Sequence, residues 1–334
     1  MVPCMTDYDN TVGRSDIAGV IPEDVSSEII QSATQASAVL SVFPSIRMSQ
    51  KTRRLPVLAA LPTAYWIDGD SDPSSDTGLK KTTKMAWDKK YITAEELAVI
   101  VPVPEAVLDD STFDIFGEVR PRLAEAMARK IDGAVFSGLD APASWGGNGF
   151  LGLGPSADAA GNDAVLGTAA QHMGGTAEDL NQLFASVEAD GFDVNFVAAE
   201  RTFRATLRSA RDTLGQKLAD ISPEGDSVMG VPVKWVIPHT LDDSGDGFLA
   251  VAGDRGQGIL GIRQDLQYKL LTEAVIQEAN GDIAYNLAQQ DMVALRVTFR
   301  VGFQVANPVT LSNEGNPTDP HTTRYPFAVL KSHA

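Results

Sequence analysis

Apolar residues recur at helical spacing over one long stretch of the chain, residues 112–138. Six of them fall every three or four positions on one face, as in an amphipathic helix of many turns. These predicted core-facing side chains are Phe116, Val119, Leu123, Met127, Ile131 and Val135. We expect Pro121 to kink this helix or to mark a restart one turn in, and Gly138 to end it.

Strand patterns dominate the last third of the chain. Residues 265–276 and 291–308 are rich in Val, Leu and Phe, which is typical of long β-strands. Shorter elements are predicted too, with strands at 192–199, 228–238 and 248–254 and helices at 22–40, 178–189 and 200–212. The Gly-, Ala- and Ser-rich stretch 141–175 is predicted to be mostly loop. This mixture of elements predicts an α+β fold.

Residues 51–92 differ from their surroundings and are predicted to form a long two-stranded hairpin. An extended run leads into the polar, turn-rich stretch 68–78, and the chain returns through alternating apolar and charged positions. Within 51–90, eight Lys and Arg against five Asp give a net charge of +3. The whole chain carries −17, so subtraction leaves about −20 for the remainder. The hairpin is therefore the basic part of an acidic protein.

Composition narrows the possible functions. With 44 Asp and Glu against 27 Lys and Arg, the chain is a poor candidate for a dedicated nucleic-acid binder or for a protein that binds an anionic membrane. The single cysteine, Cys4, excludes an internal disulfide and a cysteine zinc site. We find no signal peptide and no apolar run long enough to cross a bilayer, and we expect no membrane partner.

Patterns that could support catalysis are weak. Two G-x-G-x-x-G matches occur, at Gly147–Gly152 and Gly256–Gly261, but neither is predicted to lie between a strand and a helix, as a dinucleotide site requires. The acidic stretch 68–78 lacks the Gly and the Glu that a calcium loop needs. Ser244 has only His239 near it in sequence, and that residue is more simply part of a turn. We therefore predict that the chain is no enzyme and holds no cofactor or metal.

The order of the predicted elements resembles that of tailed-bacteriophage major capsid proteins, whose fold is also used by encapsulins. The phrases that carry the resemblance are 66-WID-68, 91-YITAEELAVIVPVPEAVLDDS-111, 211-RDTLGQKL-218, 230-GVPV-233 and 295-LRVTFRVGFQVANPVTL-311. Together the resemblance covers most of residues 22–311.

The resemblance implies the phage major capsid fold, divided into named parts. These are an N-terminal arm (1–50), an extended hairpin loop (51–92), a peripheral domain with a long spine helix and long strands (93–140 and 265–311), an axial domain (141–264) and a C-terminal tail that partly closes the axial domain (312–334).

The function implied by the resemblance is structural. The chain is expected to assemble with itself into hexamers and pentamers of an icosahedral phage capsid, held non-covalently, that encloses double-stranded DNA in the virion. Assembly is expected in the host bacterial cytoplasm, with a portal and a scaffolding protein as partners and a decoration protein as a further candidate. DNA would be contacted without sequence specificity. An encapsulin-like compartment that binds cargo peptide stays open as an alternative, and an α/β nucleotide-binding enzyme is the remaining one.

In the capsid family the extended loop lies on a neighbouring subunit, so its side chains form the predicted subunit interface. The predicted interface residues are the basic Lys80, Lys81, Lys84, Lys89 and Lys90, which would meet acidic surface on adjacent copies, and the aromatic anchors Trp66 and Trp87. The alternative is a charged hairpin that is simply solvated.

Some family members lock their shell with a Lys–Asn isopeptide bond that a nearby Glu assists. The similarity places Asp291 at the Asn position and Thr298 at the Glu position, and both departures remove that chemistry. We therefore predict that particles boiled in detergent give monomers on a denaturing gel. A ladder of higher-mass bands would contradict this prediction.

Overall fold

Helices and strands are mixed along the whole of the described chain, which confirms the predicted α+β class. The computed structural model describes residues 37–62, 82, 84–106, 115–170, 175–211, 227–236, 240–241, 247–278, 280–310 and 324–332, with side chains of the 115–136 helix described from residue 121 onward. In these residues the helices are α1 (Ala38–Val42), α2 (Ile115–Phe136), α3 (Ala143–Gly147), α4 (Leu153–Ala160), α5 (Thr176–Ala189) and α6 (Phe203–Ser209). The strands are β1 (Ser45–Arg47), β2 (Thr52–Ala60), β3 (Ala86–Thr93), β4 (Glu95–Pro104), β5 (Asp163–Val165), β6 (Phe196–Glu200), β7 (Ser227–Val228), β8 (Val231–Val236), β9 (Phe248–Gly253), β10 (Gly258–Leu271), β11 (Val275–Gln277), β12 (Ile283–Asn286), β13 (Met292–Val305) and β14 (Phe327–Lys331).

Two 14-residue strands, β10 and β13, form the centre of the first sheet. They pair antiparallel; β4 pairs antiparallel with the other side of β13, and β1 runs parallel beside β10, so the order is β1-β10-β13-β4. We call this the long-strand sheet. Side chains alternate between the two faces of a strand, so Val297, Phe299 and Val301 enter the core while Arg296 and Arg300 lie on the opposite face.

Helix α2 packs against the core face of the long-strand sheet. Leu123, Met127, Ile131 and Val135 are buried at intervals of four residues and belong to the same apolar cluster as the inward side chains of β13. Burying four such side chains stabilises the helix by about 1.5–3 kcal/mol each relative to leaving them exposed. The predicted Phe116 and Val119 also lie on α2, but their side chains are outside the described part.

Helix α2 ends in a turn that only glycine allows. The backbone N–H of Leu139 donates to the carbonyl oxygen of Gly133 at 3.1 Å, which closes the last turn. Gly138 has φ +72°, and a Cβ there would lie 2.0 Å from the carbonyl oxygen of Leu151. The chain must therefore turn at Gly138 to bring residues 150–153 against the end of the helix.

The second sheet has six strands in the order β5-β14-β9-β6-β8-β7. Strand β14 pairs parallel with β5 and antiparallel with β9, so it lies inside the sheet. Phe327 and Val329 face the core that is shared with the long-strand sheet, whereas Ala328 and Leu330 face a second apolar cluster with helix α5. All four are fully buried, because this sheet is covered on both faces.

The stretch 141–175 corrects one prediction, because it contains helices α3 and α4 and strand β5 where mostly loop was expected. Proline is unfavourable inside a helix, but Pro155 does not interrupt this one. It lies in the first turn of α4, where a backbone N–H has no helical acceptor and proline is tolerated. The alanines that follow it favour helix.

Strand β10 begins at Gly258, so the domain boundary predicted between residues 264 and 265 falls inside a strand. Two glycines of the G-x-G-x-x-G match in this strand allow close packing. A Cβ on Gly258 would lie 2.5 Å from the ring of Phe43, and one on Gly261 would lie 2.4 Å from the sulfur of Met48. Of the helix predicted at 22–40, only residues 37–40 lie within the described part, and they belong to α1 or its cap.

Phe43 lies where both sheets and helix α2 meet. Its ring centroid is 5.1 Å from that of Phe303 on β13, 5.3 Å from Phe196 on β6, 6.1 Å from Phe327 on β14 and 6.5 Å from Phe136 on α2. Three of these contacts are edge-to-face, the geometry that aromatic quadrupoles favour. One side chain thus joins the layers of the fold.

We predict that Phe43→Ala lowers the free energy of unfolding of the free subunit by about 3–5 kcal/mol, because the cavity would be lined by four rings that cannot collapse into it. Urea denaturation of the purified subunit measures this. The control is Trp87→Ala, since that ring is 66% exposed and its removal should change stability by less than about 0.5 kcal/mol. Equal losses in the two variants would contradict the role given to Phe43.

Candidate functional site

Strands β2 and β3 form the root of the predicted hairpin and present aromatic and basic side chains on one face. Opposite residues pair as Arg54 with Tyr91, Pro56 with Lys89 and Leu58 with Trp87. We call these six residues the hairpin face. Trp87 is 66% exposed and Tyr91 38%, and Lys89 between them is exposed as well. An exposed aromatic pair flanking a lysine is typical of a surface that binds another protein.

The other face of the hairpin root packs on its own chain. Val57 and Ile92 are buried, and Ile92 contacts the cluster around Met48. The backbone N–H of Val309 donates to the carbonyl oxygen of Leu58 at 3.0 Å, which fixes β2 to the segment after β13. The root is therefore held rigidly while the hairpin face stays open.

Lys90 lies on this inner face and is half buried. Burial lowers the pKa of its ammonium group; the nearby carboxylate of Asp88 opposes this effect and the guanidinium of Arg324 adds to it. Lys90 thus sits in a different environment from the other predicted interface lysines on the described chain. Lys84 and Lys89 are both exposed.

Three of the predicted interface residues, Trp66, Lys80 and Lys81, lie outside the described residues. Two exposed apolar side chains were missed by the sequence interpretation: Tyr91, and Met85, which is 43% exposed. The signal was available, since Met85, Trp87, Lys89 and Tyr91 alternate with a spacing of two and share one face of an extended chain.

The carboxylate of Asp132 on helix α2 holds the start of the described chain. It accepts hydrogen bonds from Ser37 Oγ at 2.6 Å, from the backbone N–H of Ala38 at 2.9 Å and from that of Val39 at 3.1 Å. Ser37 Oγ in turn accepts from the backbone N–H of Leu40 at 3.1 Å. The first three N–H groups of α1 are thereby satisfied by side chains, one of them 94 residues away in sequence.

Asp132 is 1% exposed, and this burial changes its protonation. Removal from water raises the pKa of the carboxyl group from an ordinary 3.8 to about 6; the hydrogen bonds from Ser37, Ala38 and Val39 and the charge of Lys234 work in the opposite direction. The sequence interpretation missed this residue. Its only signal was a carboxylate beside Ile131 on the apolar side of a helix.

A groove with a volume of about 680 Å³ runs between strand β4 and helix α2. β4 forms one edge of the long-strand sheet. Leu97 and Val99 line the strand side, while Arg122, Glu125 and Lys130 are among the lining residues of the helix. An apolar floor with charged walls beside a free strand edge offers room for a segment of another chain.

Neither glycine-rich match has the geometry of a nucleotide site. Gly152 does precede helix α4, but a Cβ on it would lie 2.5 Å from the backbone nitrogen of Gly138, so its own chain fills the space beside that helix terminus. The match at Gly256–Gly261 leads into strand β10, whereas a pyrophosphate needs the start of a helix.

Over the described ranges, no three His, Cys, Asp or Glu side chains lie close enough together to hold a metal ion. The acidic stretch 68–78, Ser244 and all four histidines fall outside those ranges. No described helix combines the length and the apolar character that crossing a membrane requires.

Known proteins resemble this chain in sequence and in structure. Residues 18–311 match the model of the phage capsid family. The chain is 25% identical over 309 residues to the major capsid protein of Staphylococcus phage 80alpha, covering 91% of this chain and 87% of that one. Among solved structures, a chain of Microbacterium phage Oxtober96 has 39% identity and a TM-score of 0.75, with 96% of each chain covered. A chain of Mycobacterium phage Adephagia has 30% identity and a TM-score of 0.74, covering 90% of this chain and 91% of that one.

The raised pKa of Asp132 predicts a stability that depends on pH. The folded chain binds the Asp132 proton more tightly than the unfolded chain does, so this contribution is full below pH 3.8 and is lost as the pH rises through about 6. The difference between these two pKa values amounts to about 3 kcal/mol. Asp132→Asn cannot titrate. We therefore expect the stability of the wild-type chain relative to this variant to fall between pH 4 and pH 6.

The measurement is urea denaturation of both free subunits across that pH range. The Asn variant should also lose about 1–3 kcal/mol at every pH, because its amide NH2 would face the N–H of Ala38, which then lacks an acceptor. A difference between the two proteins that does not change with pH would contradict the altered pKa.

Proposed function

This chain belongs to the phage capsid family, and we propose that it assembles with copies of itself into hexamers and pentamers of an icosahedral shell that encloses double-stranded DNA. Its role is that of a structural capsid protein and not of an enzyme, as in the relatives it matches. The place of such a protein is the virion. Assembly in the cytoplasm of the host bacterium belongs to the proposal.

The hairpin face is the observation that carries the proposal. Trp87 is 66% exposed on a strand whose inner side is firmly packed, so the chain leaves a large apolar ring in water. Such a ring is stabilised when a partner surface covers it. A shell of identical subunits supplies that surface at every copy, and individually weak contacts are repeated throughout the lattice.

The proposed contacts of the hairpin are both apolar and ionic. Trp66 and Trp87 act as anchors, and the lysines at positions 80, 81, 84 and 89 meet acidic surface on adjacent copies, whereas Lys90 faces its own chain. The net charge of −17 supports this, since the chain has acidic surface to offer to its own basic arm. Exposed pairs contribute roughly 0.2–1 kcal/mol each and weaken with salt.

The proposed shell is held without covalent links. Thr298, at the position where family members that crosslink carry Glu, is 6% exposed and lies between Ala98 and Gln267 on the long-strand sheet. A threonine hydroxyl cannot take the proton that a glutamate would accept in forming an isopeptide bond. Subunit contacts alone must then withstand the pressure of packaged DNA.

Further partners follow from the same proposal. A portal and a scaffolding protein take part in assembly, with a decoration protein as an additional candidate. DNA fills the interior of the shell without sequence-specific binding, because a strongly acidic chain repels phosphates except at local basic patches. Copurification of the protein with a portal and DNA would support a phage capsid, whereas copurification with a cargo enzyme would favour an encapsulin-like compartment.

We predict that the purified wild-type chain forms closed shells in electron micrographs and that reversing charge on the hairpin reduces their yield. The variant is Lys80→Glu, Lys81→Glu and Lys84→Glu combined. It should still fold, because lysine side chains are seldom part of an apolar core, but its shells should be fewer and should dissociate at lower salt or denaturant concentration.

A matched control reverses three exposed arginines near the six-stranded sheet: Arg201→Glu, Arg208→Glu and Arg255→Glu combined. It changes the net charge by the same amount. If both triple variants lose assembly equally, total charge is responsible and the hairpin has no special role. Assembly of the lysine variant at the wild-type yield would refute the ionic part of the interface.

A further inference from the structure

The long-strand sheet has one face in the core and one open face, and the open face carries an unusual pair of cations. Arg296 on β13 lies directly opposite Lys269 on β10 on one side and Ile100 on β4 on the other. Like charges directly opposite each other on neighbouring strands destabilise a sheet. Ile100 beside them is 42% exposed, so an apolar side chain adjoins the pair.

Neither cation finds an anion within the described part of the chain. The Nε of Arg296 is buried and has no hydrogen-bond partner there, and Lys269, which is exposed, forms no ion pair there. Arg300, four residues further along β13, shows the contrast, since its Nε donates to Glu96 Oε2 at 2.9 Å. A buried N–H without an acceptor costs stability, so the free subunit keeps an arginine whose partner must come from elsewhere.

Among the described residues, the root of the chain's own hairpin covers the other end of this face. A Cβ on Gly302 would lie 2.4 Å from the carbonyl oxygen of Thr93, so the root of β3 rests there. From that point the hairpin runs toward Val309, past the C-terminal end of β13. Arg296 lies nine residues before that end, or about 30 Å away at 3.3 Å per residue. The two strands therefore leave the body in the direction away from Arg296.

The acidic segment that fits the pair lies in the sequence between β2 and β3. Residues 55–79 contain four Asp, at positions 68, 70, 72 and 76, and neither Lys, Arg nor Glu. This stretch lies between two strands whose exposed face already suits a neighbour. The segment is rich in carboxylates, and it is complementary in charge to Arg296 and Lys269.

We propose that Arg296 and Lys269 form a receptor for the Asp68–Asp76 segment of a second copy, whose carboxylates supply the acceptors that the Arg296 side chain lacks. Ile100 beside the pair offers an apolar contact for the same segment. The arm of one subunit is then held at its lysines and, separately, at its acidic tip. This inference rests on the proposed self-assembly and adds the residues that receive the arm.

The first test separates the free subunit from the shell. Arg296→Met keeps the length of the side chain and removes both the charge and the buried N–H. The free subunit should melt about 1–3 °C higher, because the unsatisfied group and the repulsion from Lys269 are gone. The shell should dissociate at a lower denaturant concentration. A lower melting temperature of the free subunit would mean that Arg296 has a partner in its own chain, and would overturn the inference.

The second test is a charge swap between the two sites. Arg296→Glu should reduce the assembled fraction, measured by sedimentation and electron microscopy, about tenfold. Adding Asp70→Arg and Asp72→Arg to the same chain should restore it to within about twofold of wild type. The matched control is Arg300→Glu with the same two Asp changes, which should show no restoration because Arg300 already pairs with Glu96.

The outcomes separate this inference from the proposed function. If the wild-type chain forms no shells, self-assembly itself fails. If the wild type assembles and Arg296→Glu assembles equally well, or the swap restores nothing, only the inference fails. Shells of Arg296→Glu that form at the wild-type yield but hold less DNA would assign the cations to phosphate, which would also overturn it.

Discussion

The short segment from residue 37 to residue 47 is held between the two sheets, and the rest of the fold depends on how it is held. Asp132 provides acceptors for the first turn of α1, and Phe43 then contacts a ring from each sheet and one from α2. Strand β1 follows at once and pairs with β10, and β2 begins five residues after β1 ends. The position of the hairpin root therefore depends on the position of this segment.

The need to hold this segment in place explains why the buried residue at position 132 is an aspartate, although an apolar side chain would fill the same space. Taking Asp132 out of water is costly, as its raised pKa indicates. In return the N–H groups of α1 gain acceptors that leucine or methionine could not supply, and the hydrogen bonds set the position of the segment along α2. Directional bonds of this kind specify one arrangement where packing alone would allow several.

Sequence patterns predicted the elements whose periodicity is long and regular. Strand β13 and helix α2 were found because their apolar residues repeat over 14 and 22 residues. Helix α4 was missed because eight residues rich in Gly and Ala carry little periodic signal, and Pro155 resembled a break. The start of β10 was missed because glycines required for contact with Phe43 and Met48 resemble a turn. At the candidate site, Trp87 and Lys89 could be predicted from alternation on one strand. The environments of Lys90, Asp132 and Arg296 could not, because each depends on residues far away in sequence.

Strand β14 makes the order of synthesis matter. It lies between β5 and β9, yet residues 327–331 are translated after every strand they join. Until they leave the ribosome, the sheet has a gap between two edges and the inward rings near Phe327 have no cover. A nascent or truncated chain would therefore keep its second layer unfinished and could not present the rigid surfaces that a neighbour needs. Among the described strands, the one that closes the six-stranded sheet is therefore the last to be made.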